Sequence, residues 1–121
     1  RGGGLFKDTP MVVLVNSGSA SSSEVLAGAV QDHKRAKVIG AKTFGKGSIN
    51  ILRVLSNGGG LYITISNWYT SLGRLIEGEG IVPDIEIDPR DPRDADVQQL
   101  ERAIKEVEQI TGLRNVGNEK Q

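Results

Sequence analysis

Apolar positions along the chain follow two rhythms, and the changes between them mark the elements. Met11 to Val15 is a continuous apolar run rich in valine, bounded by Pro10 and the Asn16-Ser17-Gly18 turn. It predicts a strand buried on both faces and placed centrally in a parallel or mixed sheet. From Ser21 the rhythm becomes helical: Val25, Leu26, Ala29 and Val30 share a face, and Glu24 stands three residues after Ser21 in a capping-box arrangement. Lys37 to Gly40 predicts a second short strand, followed by a glycine-bearing loop from Ala41 to Gly47. Ile49 to Leu55 and Leu61 to Tyr69 are rich in β-branched and aromatic residues, and the turn from Ser56 to Gly60 makes them a hairpin. Thr70 to Gly80 reads as loop, and Ile81 to Ile87 as a short strand that Pro83 confines to an edge or a bend. Beyond Pro92, Val97, Leu100, Ile104 and Val107 form one apolar helical stripe, which Asp94 or Asp96 can cap and Gly112 can close. Asn115 to Gln121 reads as a frayed tail. Short strands mixed with two helices give an α/β fold class.

Composition narrows the function more than the fold. At 121 residues the chain fits one domain or a piece of one. Fifteen basic and fifteen acidic residues cancel, so no field draws in nucleic acid or an anionic membrane. The absence of cysteine removes thiolate catalysis, disulfides and cysteine-ligated metals. Residues 1–4 carry neither the apolar core nor the cleavage site of a signal peptide, so the beginning of the chain is expected to be a cut.

The chemistry concentrates at the turn Asn16-Ser17-Gly18-Ser19-Ala20-Ser21-Ser22-Ser23-Glu24, where serines crowd a strand-to-helix junction. A serine oxygen there lies beside the unpaired amides of a helix start, which can stabilise an alkoxide or a tetrahedral oxyanion. The plainer reading of Ser21 is that it caps the helix with Glu24. A nucleophile also needs a base. His33, the single histidine, sits at the far end of the same helix, roughly 18 Å away at 1.5 Å per residue, which excludes a serine-histidine pair within the chain. Lys46 stands instead between Gly45 and Gly47, where bare backbone lets other groups approach. A free lysine, with a pKa near ~10.4, is almost wholly charged at pH 7, so a lysine base must be desolvated. Gly40 to Ser48 also approaches the phosphate-binding pattern G-x-x-x-x-G-K-[ST], but Gly47 occupies the place of the metal-binding hydroxyl and a β-branched run follows where a helix is needed. Nucleotide binding is therefore not expected.

Ser19-Ala20-Ser21-Ser22-Ser23-Glu24, Ala27-Gly28-Ala29, Gln31-Asp32, Thr43-Phe44-Gly45-Lys46-Gly47-Ser48 and Gly80-Ile81-Val82-Pro83-Asp84 together resemble the C-terminal processing (tail-specific) peptidases of family S41. The resemblance runs from about Met11 to Ala103. It implies a Ser/Lys dyad with Ser21 as nucleophile and Lys46 as general base, an oxyanion donor at the Ser22 amide, and no metal or cofactor. The family's lysine-orienting glutamine falls on Asn50, one methylene shorter.

The implied fold is a crotonase-like or ClpP-like mixed sheet with flanking helices, of which residues 1–112 form a catalytic-core fragment and residues 113–121 a flexible tail. Neither the family's upstream D-L-R-x-N-P-G-G-like motif nor its PDZ domain is expected in the chain, so the fragment alone should cleave poorly. The implied partners are protein substrates with exposed nonpolar C-termini, with a homo-oligomer left open, and the implied location is periplasm, cell envelope or thylakoid lumen. Two rivals stand beside this reading. One is a catalytically impaired binding or assembly module of the same fold, and the other an acyl-CoA-handling relative, which leaves Lys46 without a role.

Overall fold

The computed structural model describes residue 4 and residues 6–87 and 95–112. Its elements run β1 (Val12–Val15), α1 (Ser22–Asp32), β2 (Lys37–Gly40), β3 (Ser48–Val54), β4 (Gly60–Asn67), β5 (Ile85–Glu86) and α2 (Ala95–Thr111). The expected order of strands and helices is present, with boundaries displaced by one or two residues except at the last strand, where the run expected from Ile81 to Ile87 shortens to Ile85–Glu86, beyond Pro83. Residues 88–94 and 113–121, which include the proposed cap Asp94 and the expected tail, lie outside the described residues.

Two sheets are present where one mixed sheet was expected. β1, β2 and β5 form a parallel sheet in the order β1-β2-β5, while among the described residues β3 and β4 pair only with each other. The first run is thus an edge strand among the described residues, and the central place belongs to β2, where Val38, Ile39 and Gly40 are buried. β1 pairs with β2 from Val12↔Lys37 to Val15↔Gly40, with α1 as the crossover that a parallel pair requires. β5 pairs at Ile39↔Ile85, just after Pro83.

Side-chain alternation along β1 sorts the two faces. Val13 and Val15 face a core made with Ala27, Val38, Ile76 and Ile81, which α1 and the segment from Ile76 to Ile81 close. Val12 and Leu14 point the other way, toward Leu100, Ala103, Ile104 and Val107 of α2. α2 buries Gln99, Ala103 and Glu106, whereas Val97, Leu100 and Ile104 of the expected stripe stay exposed. The reason is electrostatic as well as steric. Glu106 is buried and paired with Lys37 of β2 and with Arg102, which turns the small Ala103 face onto the sheet. Asp96 lies within the first turn rather than at its cap, and Gly112 has the left-handed φ of 69° expected after a helix end.

Asp84 locks the parallel sheet to α1. Its carboxylate accepts the Val38 amide at 2.7 Å and Gln31 Nε2 at 2.9 Å, and Gln31 also donates to the Val82 carbonyl at 3.0 Å. The Gln31 position and the Gly-Ile-Val-Pro-Asp ending thus meet in space.

Candidate active site

The strand-to-helix turn after β1 is backbone-strained at one residue. Ser21 has φ 57° and ψ −121°, close to the first central position of a type II′ turn, where glycine is usual. The Ser23 amide closes that turn on the Ala20 carbonyl at 3.2 Å. A non-glycine residue at positive φ costs free energy, and a surrounding structure must over-determine it. Here the support is Glu24: its Oε2 accepts the Ser21 amide at 2.9 Å. Ser22 is the first residue of α1, so its N–H has no acceptor within the helix.

Glu24 does more than complete a cap. It is fully buried, and its two oxygens take hydrogen bonds from two separate parts of the chain. Oε1 accepts Thr43 Oγ1 at 2.6 Å and the Gly45 amide at 2.6 Å, while Oε2 accepts the Lys46 amide at 2.8 Å beside that of Ser21. Burial pushes the carboxyl up, and hydrogen bonds from Thr43, Gly45, Lys46 and Ser21 more than offset it, holding the group below the usual glutamate range. One carboxylate oxygen therefore fixes the backbones of both Ser21 and Lys46. The sequence reading assigned Glu24 only to the helix cap. Its position three residues after Ser21 was visible, but the donors from the loop 22 residues away were not.

The loop from Thr43 to Gly47 is pressed against a second loop, and glycine permits the approach. A Cβ on Gly47 would lie 2.5 Å from the Glu77 amide nitrogen, and one on Gly45 would lie 3.2 Å from both Gly78 and Gly80 backbone atoms. Thr43 Oγ1 also accepts the Ile81 amide at 2.7 Å, and Glu77 Oε2 accepts the Gly47 amide at 2.6 Å. Ser48 then opens β3 rather than a helix, so this loop lacks the helix N-terminus on which phosphate binding depends.

The expected site residues are placed as follows. Ser21 and Lys46 meet at the Glu24 carboxylate through their backbones. The Lys46 side chain is exposed, so the desolvation required of a lysine base is not supplied by the described residues. Asn50 is on β3, with Oδ1 accepting the Thr64 hydroxyl at 2.6 Å and Nδ2 3.4 Å from Ser48 Oγ. His33 is the C-cap of α1, at the end opposite Ser21, as the helix spacing requires.

An open cavity of about 460 Å³ adjoins the serine turn, lined by Ser21, Ser22, Val25, Leu26, Ala29 and Trp68. The three apolar residues of α1 follow Ser21 and Ser22 at successive turns, and Trp68, from the segment after β4, also lines the cavity.

Known proteins resemble this chain in sequence and in fold. The family described as peptidase family S41 matches residues 3–87. The carboxy-terminal-processing protease of Bartonella bacilliformis is 48% identical over 86 residues, which is 71% of this chain and 20% of that protein. The chloroplastic C-terminal processing peptidase of Tetradesmus obliquus is 47% identical over 88 residues, 73% of this chain and 19% of that protein. Among solved structures, the photosystem II D1 C-terminal processing protease superposes with a TM-score of 0.66 at 44% identity, covering 78% of this chain and 24% of that one. This chain therefore spans about a fifth of the length of the curated relatives it matches. With its serine turn, its lysine loop and the Gly-Ile-Val-Pro-Asp ending all inside the matched region, the chain belongs to peptidase family S41, the C-terminal processing serine proteases.

Proposed function

We propose that the protein containing this chain is a serine endopeptidase that cleaves protein substrates near nonpolar C-termini with a Ser21/Lys46 dyad, outside the cytoplasm, on a crotonase-like or ClpP-like core of which residues 1–112 are part. The observation that carries the reading is the shared Glu24 oxygen, which ties the Ser21 and Lys46 amides to one point.

In this mechanism neutral Lys46 takes the proton from Ser21 Oγ as that oxygen bonds to the scissile carbonyl carbon. The resulting oxyanion is stabilised by the Ser22 N–H at the helix start. Collapse breaks the C–N bond, and the Lys46 ammonium returns its proton to the departing amine. Water then gives a proton to Lys46 and attacks the acyl-enzyme, and the carboxylic product leaves as Ser21 regains its proton. Asn50 stands at the lysine-orienting position, one methylene shorter than the family's glutamine, with its amide nitrogen 3.4 Å from Ser48 Oγ and its oxygen taken by the Thr64 hydroxyl. The desolvation of Lys46 comes from substrate closing over the dyad or from other parts of the full protein.

The test is cleavage of an unfolded protein with a nonpolar C-terminus by the full-length parent, comparing wild type with Ser21→Ala and Lys46→Ala. Both variants should lose activity by more than about a hundredfold, as expected for loss of a nucleophile or its base. A second reading, an impaired assembly module of the same fold, is favoured by the exposure of Lys46 and by the engagement of Asn50 with Thr64. Wild type that is inert, and stays inert after Asn50→Gln, would establish that reading in place of the first.

A further inference from the structure

The tip of the β3–β4 hairpin carries chemistry of its own. Between the two strands the chain reads Ser56-Asn57-Gly58-Gly59, and all four residues are exposed. The Gly58 amide donates to the Leu55 carbonyl at 3.0 Å and the Leu55 amide to the Gly59 carbonyl at 2.8 Å, which closes the turn. Asn57 folds its side chain back over this turn, with Oδ1 accepting the Gly59 amide at 3.0 Å. A side-chain oxygen bonded to the amide two residues on encloses the peptide between them, so the Asn57 carboxamide carbon lies beside the Gly58 nitrogen.

Three features equip that carbon for attack. The Gly59 N–H polarises the carboxamide and already stands where the oxyanion of a tetrahedral adduct would form. Gly58 has a left-handed φ of 82°, and a Cβ placed on it would meet nothing within 4 Å, so neither a side chain nor a neighbour screens its nitrogen. Water reaches both groups, because the turn is exposed. Asn16 supplies a contrast within the same chain. Its Oδ1 accepts the Gly18 amide at 2.9 Å in the same manner, but the intervening nitrogen belongs to Ser17, which carries a side chain. Asn50 precedes the β-branched Ile51 within β3, and its oxygen is held by the Thr64 hydroxyl at 2.6 Å.

We propose that this turn is a site of spontaneous covalent modification, at which the Gly58 nitrogen displaces ammonia from Asn57. The nitrogen gives its proton to hydroxide and bonds to Asn57 Cγ, the Cγ–Nδ2 bond breaks, and ammonia leaves as a five-membered succinimide closes. Water then opens either carbonyl of that ring. One opening leaves aspartate, and the other leaves isoaspartate, with the main chain rerouted through the side-chain carbon. The net change is one water taken up and one ammonia released. The step requires the Gly58–Leu55 bond to open, as bonds of exposed turns do readily. Either product adds a carboxylate to a chain whose fifteen basic and fifteen acidic residues otherwise cancel. Isoaspartate also lengthens the backbone inside the turn that sets the β3–β4 register. The proposal is independent of the dyad, since the turn lies at the other end of β3 from Ser48, about 23 Å away at 3.3 Å per residue.

The test is incubation of the folded full-length parent at mildly alkaline pH, followed by digestion and mass spectrometry, with electron-transfer fragmentation to separate aspartate from isoaspartate. Asn57 should convert about tenfold or more faster than Asn16, to a mixture of both products, and Gly58→Ala should slow it by a similar factor. Wild type in guanidinium chloride supplies the rate of the unfolded chain, and the folded rate should lie within about tenfold of it.

A folded rate further below the unfolded one would mean that the Gly58–Leu55 bond guards the turn, and the proposal falls. Conversion to aspartate alone would mean direct hydrolysis without the ring. Equal rates at Asn57 and Asn16, or a folded Gly58→Ala variant that converts as fast as wild type, would equally overturn attack by the Gly58 nitrogen.

Discussion

At the scale of single residues, Glu24, which the sequence marked only as a helix cap, ties together more of the candidate site than Ser21 or Lys46 does. Both of its oxygens face two donors each, so Glu24→Gln must turn an amide NH₂ toward amides or a hydroxyl that already donate. The substitution should cost about 3 kcal/mol, the range for hydrogen bonds to a buried charge, and urea unfolding would measure it. The pH dependence follows from the lowered carboxyl. Its stabilising effect is complete above the unfolded value near 4.5 and is lost as pH falls through the lower folded value. Asp32 acts in the same sense: burial raises its carboxyl, and hydrogen bonds from Thr70, Leu72 and Arg74 outweigh that and lower it. Wild type should therefore lose stability progressively on acidification below about pH 5, and Glu24→Gln should show a shallower slope there without abolishing it. An acid titration followed by circular dichroism would decide, and identical slopes would remove Glu24 from the account. Ser21 and Lys46 stood out locally, as a serine at a helix start and a lysine between glycines, but local pattern alone favoured a cap and a solvated cation, and the dyad roles proposed for them rest on the resemblance to family S41. The link between them was not legible, because a carboxylate that accepts from a loop 22 residues downstream leaves no local pattern.

Elements were legible to the extent that their signal is local. The capping pair before α1, the valine-rich run of β1 and the alternation in β4 each predict an element that forms. The place of each element in the molecule depends on distant partners, and here the periodicity pointed the wrong way twice. β1 reads as central but is an edge among the described residues, because β2 takes both parallel neighbours there. Val97, Leu100 and Ile104 of the α2 stripe stay largely exposed and Val107 is half-buried, while Ala103 and the Glu106 paired with Lys37 are the parts buried against the sheet. The junction that holds these elements in place is Asp84. Asp84→Ala should leave the Val38 amide, inside a fully buried residue, without its carboxylate partner and release Gln31 from the sheet. The expected loss is about 2 kcal/mol, the cost of an unsatisfied buried donor, seen as a lower denaturant midpoint with an unchanged m-value. A midpoint equal to wild type would mean that the remaining backbone bond from the Asp84 amide to the Val38 carbonyl, at 2.8 Å, suffices alone.

At the scale of the whole chain, the parallel sheet and the hairpin are differently equipped to stand in water. The sheet has α1 on one face and α2 on the other, whereas residues 51–62 of the hairpin are all exposed. Alternation along the paired strands puts Leu52, Val54 and Tyr62 on one face and Ile51, Leu61 and Ile63 on the other, so neither face is polar enough to be a free surface. Leu52 is 59% exposed, Tyr62 72% and Val54 75%. Apolar residues in such a patch, on strands whose outer edges have no partner among the described residues, favour association with another surface. The isolated chain should therefore self-associate as its concentration rises, through the hairpin rather than through the serine turn. Sedimentation velocity on wild type and on Leu52→Lys/Val54→Lys would test this. The double variant should remain monomeric at concentrations where wild type associates, because two cations on one face oppose both burial and pairing. Its unfolding free energy in urea should stay within about 0.5 kcal/mol of wild type, the usual range for exposed substitutions. Equal association by the two proteins would move the contact elsewhere, and the exposed Val97, Leu100 and Ile104 of α2 would be the next surface to substitute.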